Sequence, residues 1–159
     1  MAIPRAAWGL VVLAVAGVAW IPAGVAYDAS VLVWSGVLLI AGGWLLAAAG
    51  ANGPATRVRT GLAVVAVGAV TFLGAVSSNE GAARVAALLF AIGAVAVAAG
   101  VRSRPAVLRA GAAVGALACS VWIVTDGLTS WWQPGNVLAL VGMGLLAWTG
   151  APGMGAREA

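Results

Sequence analysis

The stretch Ser30–Gly50 reads SVLVWSGVLLIAGGWLLAAAG and contains no charged residue. A helix rises 1.5 Å per residue, and a hydrocarbon core about 30 Å thick needs roughly 20 apolar helical residues to cross it. This stretch is therefore predicted to cross a bilayer as one helix. Five further apolar runs flank it in the 159-residue chain, in which 64% of residues are hydrophobic and the mean hydropathy is +1.10.

These runs predict an all-α fold, a polytopic bundle of six transmembrane helices that forms a single membrane domain over residues 1–159. Five of the six prolines fall in turns or at segment ends, where a missing N–H costs little. The first run contains Trp8 and Trp20 and is longer than the apolar part of a signal peptide, which favours a retained helix over a cleaved leader. The predicted spans are Ala6–Ala26, Ser30–Gly50, Thr60–Ser77, Ala83–Val101, Ala106–Thr125 and Gly135–Gly150.

The arginines predict the orientation of the chain. With a cytoplasmic N-terminus, seven of the eight arginines lie in inside segments, and only Arg84 lies outside with Asp28, Glu80 and Asp126. Short cytoplasmic loops carry an excess of Arg and Lys, so both termini are predicted to be cytoplasmic and the protein to lie in the cell membrane. Tryptophans favour interfaces: Trp8, Trp44 and Trp148 are assigned to the inner one, and Trp20, Trp34, Trp122, Trp131 and Trp132 to the outer one.

The odd-numbered helices begin with similar sequences, which start at Arg5, Arg59 and Arg109. This similarity predicts three repeated helical hairpins, at about residues 6–50, 59–101 and 106–150, related by an axis along the membrane normal. Chance resemblance among helices rich in Gly, Ala and Val is the alternative.

Small residues recur every seven positions within the spans. This spacing keeps a smooth stripe against a neighbouring helix, and lipid supplies no hydrophobic drive, so close backbone contact must hold the helices together. Gly111 and Gly115 also form a GxxxG pair. The residues predicted to pack helices are Gly36, Gly43, Gly50, Gly61, Gly68, Gly93, Gly100, Gly111 and Gly115.

Residues for chemistry are scarce. The chain has no His and one Cys, Cys119, which excludes a His-based triad, haem ligation by His, and a CxxC site. No catalytic, cofactor-binding or metal-binding residue is predicted. The net charge of +4 is spread over several turns, which disfavours nucleic acid as a partner. The deepest polar residues are predicted to be Ser35, Thr71, Ser120 and Thr149.

Two features near the outer surface are candidate sites. Asp28 and Asp126 occupy equivalent ends of the first and fifth spans, and they are either an acidic outer site or solvated turn residues. Trp131 and Trp132 lie in the longest outer connection and are predicted to anchor it at the interface. A patch that binds lipid or a partner is the alternative for this pair.

The first hairpin contains two stretches, Trp8-Gly9 through Pro22 and Gly36 to Gly42, that resemble the HdeD-like family of small multi-pass membrane proteins. The resemblance is weaker in the similar stretches that begin at Gly61 and Gly111. Trp20-Ile-Pro22 followed by Trp34 is also similar to the SPW-repeat membrane proteins. The first resemblance implies an association with acid stress, and neither implies a catalytic residue.

Together these patterns predict a non-enzymatic membrane protein, a structural, accessory or stress-related subunit. Its predicted partners are the lipid bilayer and either a second copy or another membrane protein. The alternative is a transporter or channel for a small neutral or weakly polar solute.

Overall fold

The computed structural model describes residues 5–26, 30–76, 81–126 and 133–152, and it leaves out the side chains of residues 22–26 and 126. Of the residues described, 91% are helical and none is in a strand, which confirms the all-α prediction. A short 3₁₀ turn, Arg5–Ala7, precedes the first helix. The helices are α1 Trp8–Ala26, α2 Val31–Ala49, α3 Ala55–Ala75, α4 Ala82–Ser103, α5 Pro105–Asp126 and α6 Gln133–Thr149.

The helix limits agree with the predicted spans within a few residues, except that α3 begins at Ala55 rather than at Thr60. The predicted start was wrong because it marked where the apolar run begins, and Arg57 and Arg59 are themselves good helix formers. Pro54 precedes the helix with φ −64°, and its carbonyl accepts a hydrogen bond from the Arg57 amide at 3.0 Å. Helix α3 therefore starts about one turn before its apolar part.

Among the described residues the six helices form a closed ring in which each helix packs antiparallel against its neighbours. Extensive contacts join consecutive helices, and α6 returns to pack along α1. The most extensive contacts are those of α2 with α3 and of α4 with α5, followed by those of α1 with α6. Each predicted hairpin thus contacts the next hairpin more extensively than its own two helices contact each other.

The outer surface of the ring is apolar on every helix. Half-exposed aliphatic side chains include Val15 on α1, Leu38 on α2, Val67 on α3, Ile92 on α4, Leu117 on α5 and Val141 on α6. Four helical segments, Val31–Ala49, Ala55–Ala75, Ala82–Ser103 and Pro105–Thr125, are long and apolar enough to cross a membrane. Over the residues with described side chains, the 3₁₀ turn and α1 form a shorter apolar segment, Arg5–Ile21, and α6 has 17 residues.

Antiparallel packing gathers most arginines at one end of the ring, where α1, α3 and α5 begin and α2, α4 and α6 end. We call this the arginine end. Of the arginines in the described residues, six lie there and Arg84, in the first turn of α4, lies at the opposite end. The six are Arg5, Arg57, Arg59, Arg102, Arg104 and Arg109.

Candidate functional site

At three crossings of neighbouring helices, a glycine on one helix faces a glycine on the other. A Cβ atom built on Gly43 of α2 would lie 2.6 Å from the carbonyl oxygen of Gly61 on α3. On α4, a Cβ on Gly93 would lie 2.7 Å from the Gly111 carbonyl oxygen of α5. Real Cβ atoms do not approach this closely, so only glycine allows the two backbones to meet.

The third pair closes the ring. A Cβ on Gly142 of α6 would lie 3.1 Å from the carbonyl oxygen of Gly9 on α1, and one on Gly9 would lie 3.2 Å from the Gly142 carbonyl oxygen. This crossing is looser than the other two by a few tenths of an ångström. A glycine therefore faces a glycine where α6 closes the ring against α1, as it does between α2 and α3 and between α4 and α5.

The structure places all nine predicted packing glycines against another helix. A Cβ built on any of them would come within 3.1 Å of a neighbouring helix's atoms. At eight of the nine positions backbone atoms are among the nearest neighbours, and at Gly115 the neighbour is the flexible side chain of Met143. The facing residues are Phe72 for Gly36, Arg57 and Val58 for Gly50, Ile40 and Gly36 for Gly68, and Leu108 for Gly100.

Five aromatic side chains meet inside the ring: Trp20, Trp44, Phe72, Phe90 and Trp122. Trp20 contacts Phe90 with ring centroids 5.7 Å apart, and it contacts Trp122 at 6.2 Å. Phe72 contacts Trp122 at 6.1 Å. These contacts join helices that are not neighbours in the ring, so they must cross its centre. At this level the centre is filled by aromatic rings rather than left as a channel.

The interfacial assignment of two tryptophans was wrong. Trp20 and Trp44 were assigned to opposite membrane interfaces, yet their ring centroids lie 5.4 Å apart, and Trp44 is fully buried. Antiparallel packing of α1 and α2 brings Gly17 against Trp44, which places Trp44 close to the level of Trp20. Both rings face the core because the opposite faces of their helices carry the exposed aliphatic side chains.

A buried hydrogen bond supports the aromatic cluster from α6. Trp20 Nε1 donates to Asn136 Oδ1 at 3.0 Å, and Asn136 is only 4% exposed. Gln133, one turn earlier on α6, is also buried. Sequence reasoning missed both residues. The signal was available, because Asn136 is an amide within an otherwise apolar run and such a group needs a partner.

The four hydroxyl residues predicted to be the deepest polar groups bond within their own helices. Each hydroxyl donates to the carbonyl oxygen four residues earlier, a common way for Ser and Thr to be satisfied in apolar surroundings. The bonds are Ser35 to Val31 at 2.7 Å, Thr71 to Val67 at 2.9 Å, Ser120 to Ala116 at 3.0 Å and Thr149 to Leu145 at 2.7 Å. These bonds leave no polar stripe across the bundle at those positions.

The candidate outer sites fall outside what the structure describes. Asp28, Trp131 and Trp132 lie in undescribed segments, and Asp126 is the last residue of α5 with its side chain left out. Both hypotheses for these residues remain predictions. Cys119 is buried on α5 and forms no disulfide.

Within the part of the chain that the structure describes, no group of three or more His, Cys, Asp or Glu side chains could hold a metal ion. Comparison of the chain with protein-family models, with curated proteins and with solved structures finds no match. The resemblance to the HdeD-like and SPW-repeat families therefore remains a prediction.

Proposed function

We propose that the chain is a six-span integral protein of the cell membrane, non-enzymatic, which acts as a structural or accessory subunit and packs against a second copy or a membrane partner. The observation that carries this proposal is the aromatic cluster across the centre of the ring. Because the centre of the bundle is filled, the surface available to other molecules is the apolar outer one. That surface is suited to lipid and to other transmembrane helices.

The outer surface supports placement in a bilayer. A soluble monomer rarely exposes contiguous apolar patches larger than a few hundred Å², whereas this ring exposes aliphatic side chains on all six helices. The interior instead contains glycine and alanine at the helix crossings. Small residues where helices cross and aliphatic side chains on the outer surface suit helices that associate in lipid.

Corresponding residues support a threefold repeat. Gly43, Gly93 and Gly142 follow one another at intervals of 50 and 49 residues along the even-numbered helices. Their partners Gly9, Gly61 and Gly111 follow at intervals of 52 and 50 residues. The same intervals relate Trp20, Phe72 and Trp122, all members of the aromatic cluster. We infer that each repeat is a pair of helices and that its most extensive contacts are with the neighbouring repeats around the ring.

The distribution of charge predicts the topology. The arginine end should face the cytoplasm because positive residues are retained there during insertion. Reporter fusions that distinguish cytoplasm from exterior test this, and a single reversed pair would contradict both the topology and the parallel repeat. Fusions after Gly50, Val101 and Gly150 should report the cytoplasm, and fusions after Tyr27, Glu80 and Gly127 the exterior.

The filled centre predicts that the protein alone conducts neither protons nor ions. The described arginines lie in connections or within the first two turns or the last turn of a helix, and moving a charge through a bilayer centre requires polar groups on the way. Purified protein in liposomes should therefore give proton and potassium fluxes equal to those of empty vesicles, with an ionophore as positive control.

Flux above that background would favour the transporter alternative, and its loss in an Asp126→Asn variant would identify the outer acidic site as part of the path.

The accessory role is tested separately, by whether the protein keeps a partner. Purification in mild detergent should retain a second copy or another membrane protein, and a lone monomer under all such conditions would contradict that role.

A further inference from the structure

A groove of about 470 Å³ lies at the arginine end, where α6 returns to α1. It is lined by Arg5, Trp8, Leu145, Trp148 and Thr149. Both tryptophans project outward, with Trp8 47% and Trp148 84% exposed. Arg5 is exposed as well. The walls of the groove are almost wholly apolar, and the exposed Arg5 lies at its edge, at the end of the bundle where the membrane surface is expected.

The walls of this groove are specific to the α1/α6 crossing. At the positions that the repeat makes equivalent to Trp148, helices α2 and α4 have Ala49 and Ala99. At those equivalent to Trp8, helices α3 and α5 have Thr60 and Ala110. Small residues there leave no comparable walls. The two tryptophans therefore do not follow from the repeat, and packing of the ring does not require them.

An apolar groove with an arginine at its edge suits a phospholipid, whose acyl chains are apolar and whose phosphate is anionic. A guanidinium presents a planar set of donors that suits phosphate oxygens and is weakly hydrated. Tryptophan sits well at the level of lipid headgroups, where its ring is partly in hydrocarbon and its N–H reaches polar groups. Leu145 adds an apolar wall for the start of an acyl chain. The chain's net charge of +4 also favours an anionic ligand.

We propose that this groove binds one anionic phospholipid, with Arg5 at its edge against the phosphate and with Trp8 and Trp148 on either side of the glycerol region. The proposal rests on the bilayer placement proposed above.

Native mass spectrometry of the protein in detergent with equal amounts of phosphatidylglycerol and phosphatidylcholine tests it. The parent should retain phosphatidylglycerol preferentially. An Arg5→Gln variant should bind it roughly fivefold more weakly, since one basic residue near the surface contributes about that much to binding of an anionic lipid. Trp148→Ala should weaken binding too, and because Trp148 is largely exposed, its replacement leaves the core intact.

Arg57→Gln is the matched control. Arg57 is also exposed, lies at the equivalent place on α3 and has no flanking tryptophan, so its loss should leave lipid retention unchanged. Equal losses in the Arg5 and Arg57 variants, or unchanged binding in Trp148→Ala, would overturn the proposal.

Two results would show that something else occupies the groove, and either would overturn the proposal. Displacement of the lipid by millimolar inorganic phosphate would show a site for free phosphate. Dissociation of a dimer by Trp148→Ala would show that a second copy fills the groove. Failure of the bilayer placement is distinguishable, because the protein would then not fractionate with membranes at all.

Discussion

A Gly43→Leu variant should melt well below the parent in detergent, with a loss of about 3 kcal/mol in the free energy of unfolding. Gly43 faces the Gly61 carbonyl oxygen and the Val65 backbone amide at distances where even a Cβ does not fit. A leucine there must push α2 and α3 apart, and overpacking of this kind typically costs 1–3 kcal/mol, occasionally more. Thermal unfolding followed by circular dichroism, with reversibility checked, measures the loss. Gly93→Leu, at the equivalent crossing, should behave in the same way.

The adjacent glycine is the matched control. A Cβ on Gly42 would meet nothing within 4 Å, and this residue is exposed on the same helix. Gly42→Leu should therefore leave stability unchanged or raise it by up to about 1 kcal/mol, because leucine is the better helix former. If the variants at positions 42 and 43 unfold alike, the close approach of α2 and α3 is not what holds the bundle together.

Replacing Trp20 should also have a large effect, since this one side chain both fills the centre of the ring and bonds to α6. Trp20→Ala should lower the free energy of unfolding by about 3–5 kcal/mol through the cavity it leaves. Asn136→Val keeps the ring in place and leaves the buried indole N–H without an acceptor, at a cost of about 1–3 kcal/mol. The same unfolding measurement ranks these variants.

The repeat suggests a rescue. At the α2/α3 crossing the equivalent positions are occupied by Phe72 and Val37, an entirely apolar pair. A Trp20→Phe, Asn136→Val double variant removes both polar partners together. Its loss of stability should therefore be about 1 kcal/mol smaller than the sum of the losses in the single variants Trp20→Phe and Asn136→Val. Strict additivity would show that the hydrogen bond between Trp20 and Asn136 contributes nothing to stability.

The helices were predictable because uninterrupted apolar runs of span length have few alternatives. The start of α3 was not, since hydropathy marks the edge of the apolar part while Arg57 and Arg59 continue the helix beyond it. Seven-residue spacing pointed to Gly43 and Gly93 as packing positions. It could not show which neighbour each glycine faces, because a helix in a ring has a neighbour on either side and the spacing is the same for both.

The centre of the ring was harder to predict than its crossings. Trp20 and Trp44 were assigned to interfaces because tryptophan is enriched there, and that tendency does not tell an outward ring from an inward one. Asn136 would have been the better guide, since an amide in an apolar run has to find a partner on another helix. The groove at Arg5 was also missed, because its residues come from opposite ends of the sequence.

The meeting of α1 and α6 has a consequence for how the protein is made. Of the six helices, α1 is synthesised first and α6 last, and their hydrogen-bonded residues Trp20 and Asn136 are 116 positions apart. The pairs α2/α3 and α4/α5 are joined by short connections, so each pair can form once its second helix, α3 or α5, has been made. Until α6 is made, the Gly9 face of α1 lacks the helix it packs against in the ring. Assembly therefore ends with the joining of the oldest helix to the newest.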